Sequence, residues 1–147
     1  MEKEVKIFDN IDLTLVIDKE FPKIGLDHLE KHDVTPATFE RIARTYSLGF
    51  EYKYIDLERA DDVELFSEVF SEGKFLRGRV IVLTDYAIGK KVCYSVHHSF
   101  LEKFVLDTYP EMADQNFFQP LDSIFLGIEE RMAVIIHHEG YYMRIRW

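Results

Sequence analysis

Residues 132–147 constrain the fold of this chain more than any other stretch. Two β-prone runs, Met-Ala-Val-Ile-Ile-His and Tyr-Tyr-Met-Arg-Ile-Arg, flank His138, Glu139 and Gly140. Taken as a two-residue turn, Glu139-Gly140 lets the glycine accept a positive φ. His138 then faces Tyr141, His137 faces Tyr142, Ile136 faces Met143, Val134 faces Ile145 and Met132 faces Trp147. That register gathers Met132, Val134, Ile136, Met143, Ile145 and Trp147 on one apolar face. Ala133, Ile135, His137, Tyr142, Arg144 and Arg146 fall on the other. A one-residue slip scrambles this segregation. Pattern and turn together predict an antiparallel hairpin in this register, with its last strand an integral part of the sheet.

The remaining segments agree with a sheet of hairpins. Val5–Phe8 and residues 11–17 read as strands around a turn at Asp9-Asn10. Residues 79–84 and 91–97 read as a second hairpin, and residues 50–57 as a further strand. Helices interleave with them. Residues 26–32 suggest one or two turns. Thr35 is an N-cap with Pro36 at the first helical position and a Val34/Phe39 staple. The helix it opens has an inner face of Phe39, Ile42, Ala43 and Tyr46, and Gly49 is its stop. Asp61 with Glu64 caps another helix whose inner face is Val63, Phe66, Val69 and Phe70, ended by Gly73. Ser99 with Glu102 forms a capping box for a helix over residues 100–109, which Pro110 terminates. Beyond it, residues 111–120 read as a loop anchored by Phe117 and Phe118. The prediction is an α+β fold: a mainly antiparallel sheet packed with three to four helices, one domain over residues 1–147.

Composition supports a filled core. The chain has 147 residues, enough to bury roughly two-thirds of its unfolded surface without a staple. Hydrophobic residues make up 47% and aromatics 14%, which excludes a disordered chain. Cys93 is the sole cysteine, so no internal disulfide exists and a reducing compartment is expected. The opening Met-Glu-Lys-Glu-Val-Lys carries no apolar stretch and nowhere do 18 apolar residues run together, so the expected location is the cytoplasm, with no membrane partner. Lysine and arginine number 18 against 27 acidic residues, a net charge of -9. Such a charge opposes nucleic acid and anionic lipid and favours basic partners.

The acidic residues are concentrated. Between positions 56 and 72 lie Asp56, Glu58, Asp61, Asp62, Glu64, Glu68 and Glu72, against Arg59 alone. On a helix Glu64, Glu68 and Glu72 form one row, and no lysine or arginine stands where it would neutralise them. Each such pair repels by a few tenths of a kcal/mol. Most acidic runs are simply solvated helix faces. The missing compensation argues here for a negative ridge that meets something cationic.

All six histidines occur as close pairs. His28 and His32 would share a helix face, but Glu30 does not stand directly after the first histidine, as the zinc-protease motif requires. Adjacent histidines on a strand point to opposite faces, so neither His97/His98 nor His137/His138 would chelate as a pair. No metal or cofactor is therefore expected. Cys93 reads as a small buried hydrophobe. A rival reading takes His97, His137, Tyr142, Arg144 and Arg146 as one sheet face binding an anionic small molecule, either as a ligand-binding domain or as a small enzyme.

Weighing these, the chain reads as a non-enzymatic binding protein with no catalytic residues, contacting its partner through Asp61, Asp62, Glu64, Glu68 and Glu72. In size, acidity and mixed α+β pattern it resembles the immunity proteins of bacterial toxin systems, whose partners are often basic nucleases. The resemblance rests on these general properties, without a shared motif. It implies an antitoxin-like inhibitor that acts by occluding a basic toxin.

Overall fold

The computed structural model describes residues 5–8, 35–58, 61–70, 77–84, 93–118 and 122–146, the first four by backbone only. The expected strand at 11–17, the turns at 26–32 and the Val34 end of the staple lie outside the described residues. Among the described residues, seven strands form one antiparallel sheet: β1 (Val5–Phe8), β2 (Gly49–Tyr54), β3 (Arg79–Thr84), β4 (Cys93–His97), β5 (Ser123–Gly127), β6 (Met132–His137) and β7 (Tyr141–Arg146). Their order across the sheet is β1-β4-β3-β5-β6-β7-β2. The fold is α+β, a hairpin-built sheet with three helical bodies among the described residues.

Both faces of the sheet's inner strands are buried, which is the main departure from the pattern expected. On one face Val80, Val82, Tyr94, Val96, Phe125, Val134 and Ile136 pack under helix α2 (Asp62–Phe70) and the helical segment 98–113. On the other, Ile81, Leu83, Cys93, Ile124, Leu126, Ile135, Met143 and Ile145 meet Phe39 of helix α1 (Pro36–Tyr46). A central strand between two apolar layers gains nothing from polar alternation, so β5 reads Ser-Ile-Phe-Leu-Gly and β6 is apolar almost throughout.

That double burial explains the register of the last hairpin. The turn has three residues, His138, Glu139 and Gly140, with Gly140 at φ 97° and its N–H donating to the His137 carbonyl at 3.0 Å. Such a loop pairs His137 with Tyr141, Ile136 with Tyr142, Val134 with Arg144 and Met132 with Arg146. It is one residue off the predicted pairing. The apolar set of β6 and the apolar set of β7 therefore lie on opposite faces, each meeting its own core. A three-residue loop with a left-handed glycine is the next commonest hairpin closure after the two-residue one.

The helices follow their caps, with four corrections. Thr35 Oγ1 accepts from the Thr38 N–H at 3.3 Å, and Pro36 opens α1 as the sequence predicts. The helix ends at Ser47, in a left-handed conformation at φ 56°, rather than at Gly49, which instead begins β2. Tyr46 lies outside the inner face of α1 and is exposed. The Ser99/Glu102 box does not form; segment 98–113 is capped by His97, whose Nδ1 accepts from the Ser99 N–H at 3.3 Å. Pro110 does not stop the segment, which runs on to Ala113. A π-helical stretch, Phe104–Thr108, widens the turn before the proline, so the missing N–H and the crowded carbonyl are absorbed without a break. Phe117 and Phe118 are buried as expected.

Candidate functional site

Helix α2 carries the acidic row. Asp61 Oδ1 accepts from the Glu64 N–H at 2.8 Å, satisfying one of the donors that a helix start leaves open. Leu65, Val69 and Phe70 are buried on the sheet side, while Val63, expected inside, is 55% exposed. The helix is thus rotated slightly from its expected phase. Asp61, Glu64 and Glu68 all face solvent. No lysine or arginine stands in the last turn of α2, and none of the described residues forms an ion pair with Glu64 or Glu68. The contrast with α1 is direct, since there Arg44 pairs with Glu40 one turn away at 2.8 Å. Glu72 lies outside the described residues.

Asp62, half-buried beside this row, has its carboxyl raised above the ordinary 3.8, first by burial and second by the Asp61 charge. A carboxyl raised on folding binds protons more readily in the folded chain than in the unfolded one. Its ionisation therefore costs stability as pH climbs above 3.8, and the cost is absent below that value. Asp62→Asn is expected to stabilise the protein more at pH 7 than at pH 3. Urea titrations of both chains at the two pH values read this difference directly.

Beside the start of α2 lies a pocket of about 680 Å³, walled by Tyr54 and Tyr141 and rimmed by Asp56, Glu58, His138 and Glu139. The two tyrosine rings meet edge to face at 5.1 Å. Gly140 closes the floor: its carbonyl accepts from the Ile55 N–H at 2.7 Å, continuing the β2–β7 pairing past the strand end. Only three peptide links separate Glu58 from Asp61, so their Cα atoms stand within about 11 Å of each other. Pocket rim and helix start are thus near one another along the chain. Tyr52 and Tyr54 stand exposed on edge strand β2.

The rival set of residues does not assemble. His97 ends β4, separated from β7 by β3, β5 and β6. His137 lies on the face opposite Tyr142, Arg144 and Arg146, because the three-residue turn shifts the pairing. Tyr142 is buried. Arg144 is used structurally: it donates to Glu51 Oε1 at 3.0 Å and to the Val69 carbonyl at 3.1 Å, and lies over the Tyr142 ring. Its charge thus ties β7 and β2 to the C-terminal turn of α2, where a cation is favoured.

The histidine pairs differ from expectation in an informative way. β6 ends at His137, so His138 belongs to the turn and strand alternation no longer separates the two rings, whose centroids stand 4.3 Å apart. His138 Nδ1 meets Asp122 Oδ1 at 2.8 Å, and its backbone N–H donates to the same oxygen at 2.9 Å. Asp122 and His137 are both buried. Donor atoms of Asp122, His137 and His138 all lie within 4.8 Å of one another. Asp122 escaped the sequence reading because β5 did. Once Ser123 pairs with Ile136, the next step of the ladder sets Asp122 opposite His137. His97 and His98 are equally close, at 4.4 Å, but bind Ser99 and the Gly78 N–H. His28 and His32 lie outside the described residues.

Among the described residues, no helix is long and apolar enough to cross a membrane. Comparison of the chain with known protein families, with curated proteins and with solved structures gives no match.

Proposed function

We propose that this chain is an acidic, cytoplasmic binding protein that docks a basic protein partner, of the kind that inhibits a cationic toxin such as a nuclease by covering its substrate-binding surface. The observation that carries this reading is the solvent-facing row Asp61, Glu64 and Glu68, which forms no ion pair among the described residues, whereas Glu40 pairs with Arg44 and Glu51 with Arg144. A few residues before the row along the chain, a pocket offers carboxylates and tyrosine faces that suit a lysine or arginine side chain. Negative potential would speed encounter, and Tyr52 and Tyr54 would supply buried anchors in the complex. The cytoplasmic setting is supported by a single cysteine, Cys93, buried in β4.

The test is capture of the partner by the wild-type chain, followed by affinity measurements at two salt concentrations. The partner is expected to be basic, to bind more weakly at high salt, and to lose at least about tenfold in affinity on E64K/E68K/E72K. That triple variant is expected to keep its thermal midpoint, since Glu64 and Glu68 face solvent and a row of lysines at the same spacing repels about as much as the glutamates it replaces. A neutral or acidic partner, or equal binding by the triple variant, sinks the reading.

A further inference from the structure

We infer that Asp122, His137 and His138 form a binding site for one divalent transition-metal ion of the zinc type. The inference stands apart from the acidic surface and does not rest on the proposed partner. Its basis is placement. Asp122 immediately precedes β5 and His137 closes β6, adjacent strands in the middle of the sheet, and both side chains are more than nine-tenths buried. Two donors are therefore fixed before any ion arrives. His138 supplies the third from the turn, with its ring partly exposed and its Nδ1 already against Asp122. All three donor atoms fall within 4.8 Å.

The donor set selects the ion. Two imidazoles and one carboxylate suit zinc, cobalt or iron(II), whereas calcium and magnesium demand many oxygen ligands. Tetrahedral ligands about 2.1 Å from an ion stand roughly 3.4 Å apart, so the 2.8 Å contact between His138 and Asp122 must open by about half an ångström. His138 is the side chain free to make that adjustment, being the exposed one. It also lines the pocket, which gives the ion an entry path and leaves a coordination position for water. Glu139 stands beside it, with Oε2 at 3.9 Å from His137 Nδ1, within reach as an additional oxygen donor. A cation at this point would offset the cost of holding the Asp122 charge away from water. The His97/His98 pair is a natural control: its rings are as close, yet no carboxylate completes a donor set around it among the described residues.

The experiment uses full-length chain purified without a histidine tag and stripped with chelator. Zinc is titrated in competition with a chromophoric chelator, and cobalt(II) is added separately to read its visible ligand-field bands. One ion per chain is expected, with tetrahedral or five-coordinate cobalt bands and no thiolate charge-transfer band. His138→Ala, at an exposed position, is expected to fold normally and to weaken zinc binding by more than about tenfold. Asp122→Asn, folded as judged by circular dichroism, is expected to weaken it similarly. H28A/H32A is expected to bind as wild type. The inference is overturned by absence of zinc binding at micromolar free ion, by unchanged affinity in His138→Ala, or by binding that disappears in H28A/H32A instead.

Discussion

Phe125→Ala is expected to cost about 4 kcal/mol, the largest loss of any single substitution considered for this chain. Phe125 sits in β5, the central strand of the sheet, and is fully buried. Its ring meets Phe70 of α2 edge to face at 5.0 Å and Phe117 at 5.4 Å. Truncation would leave a cavity between strand β5, helix α2 and the turn that carries Phe117, and none of the three can collapse without breaking other contacts. A domain of this size has roughly 5–15 kcal/mol in total, so the variant is expected to sit near the edge of folding at 37 °C. Urea unfolding provides the measurement, with the midpoint falling and the slope unchanged. Phe125→Leu, which keeps most of the volume, is expected to cost less than about 1.5 kcal/mol. A loss under 1 kcal/mol for alanine, by the same linear extrapolation, would show that β5 is not the centre of the core.

Gly140→Ala is expected to cost about 3 kcal/mol and to loosen the pocket as well as the fold. Gly140 holds φ at 97°, a conformation an L side chain enters only with strain. An added Cβ would stand 2.6 Å from the Ile55 carbonyl oxygen, a backbone atom with no freedom to retreat. The bond from the Ile55 N–H to the Gly140 carbonyl would lengthen or break, and with it the tie between the end of β2 and the last hairpin. Hydrogen exchange separates the two consequences. The Ile55 amide is expected to lose protection beyond the global loss of stability, whereas amides of β3 and β5 lose only the global part. Equal loss at all three sites would mean that the glycine serves the hairpin alone.

How far the fold could be read in advance depended on how local its determinants are. The α1 start was legible because Thr35 and Pro36 act within one turn, and the acidic cap of α2 was legible for the same reason. The last hairpin was legible in position but not in register. Its face assignment assumed one wet side, and the sheet has none at β6. β5 was invisible because a strand covered on both sides shows no period-two signal, and five residues are too few to set it apart from loop. Pro110 misled because a π turn, one residue wider than the α-helical one, cannot be seen in composition. For the sites, the acidic row needed only spacing along one helix. The Asp122–His137–His138 cluster needed the pairing of two strands and the exact end of one of them, which only three-dimensional pairing supplies.

Strand β2 lies against β7, matching Gly49 with Arg146, residues separated by most of the chain's length. Strand β1 likewise pairs with β4 across a long interval. Both margins of the sheet are thus closed by contacts whose loop entropy must be met before they return any stabilisation. The rate of folding should consequently be governed by topology, in the millisecond-to-second range typical of sheets with distant pairings. The central meander of β5, β6 and β7 is the natural nucleus, and the outer strands are recruited onto it late.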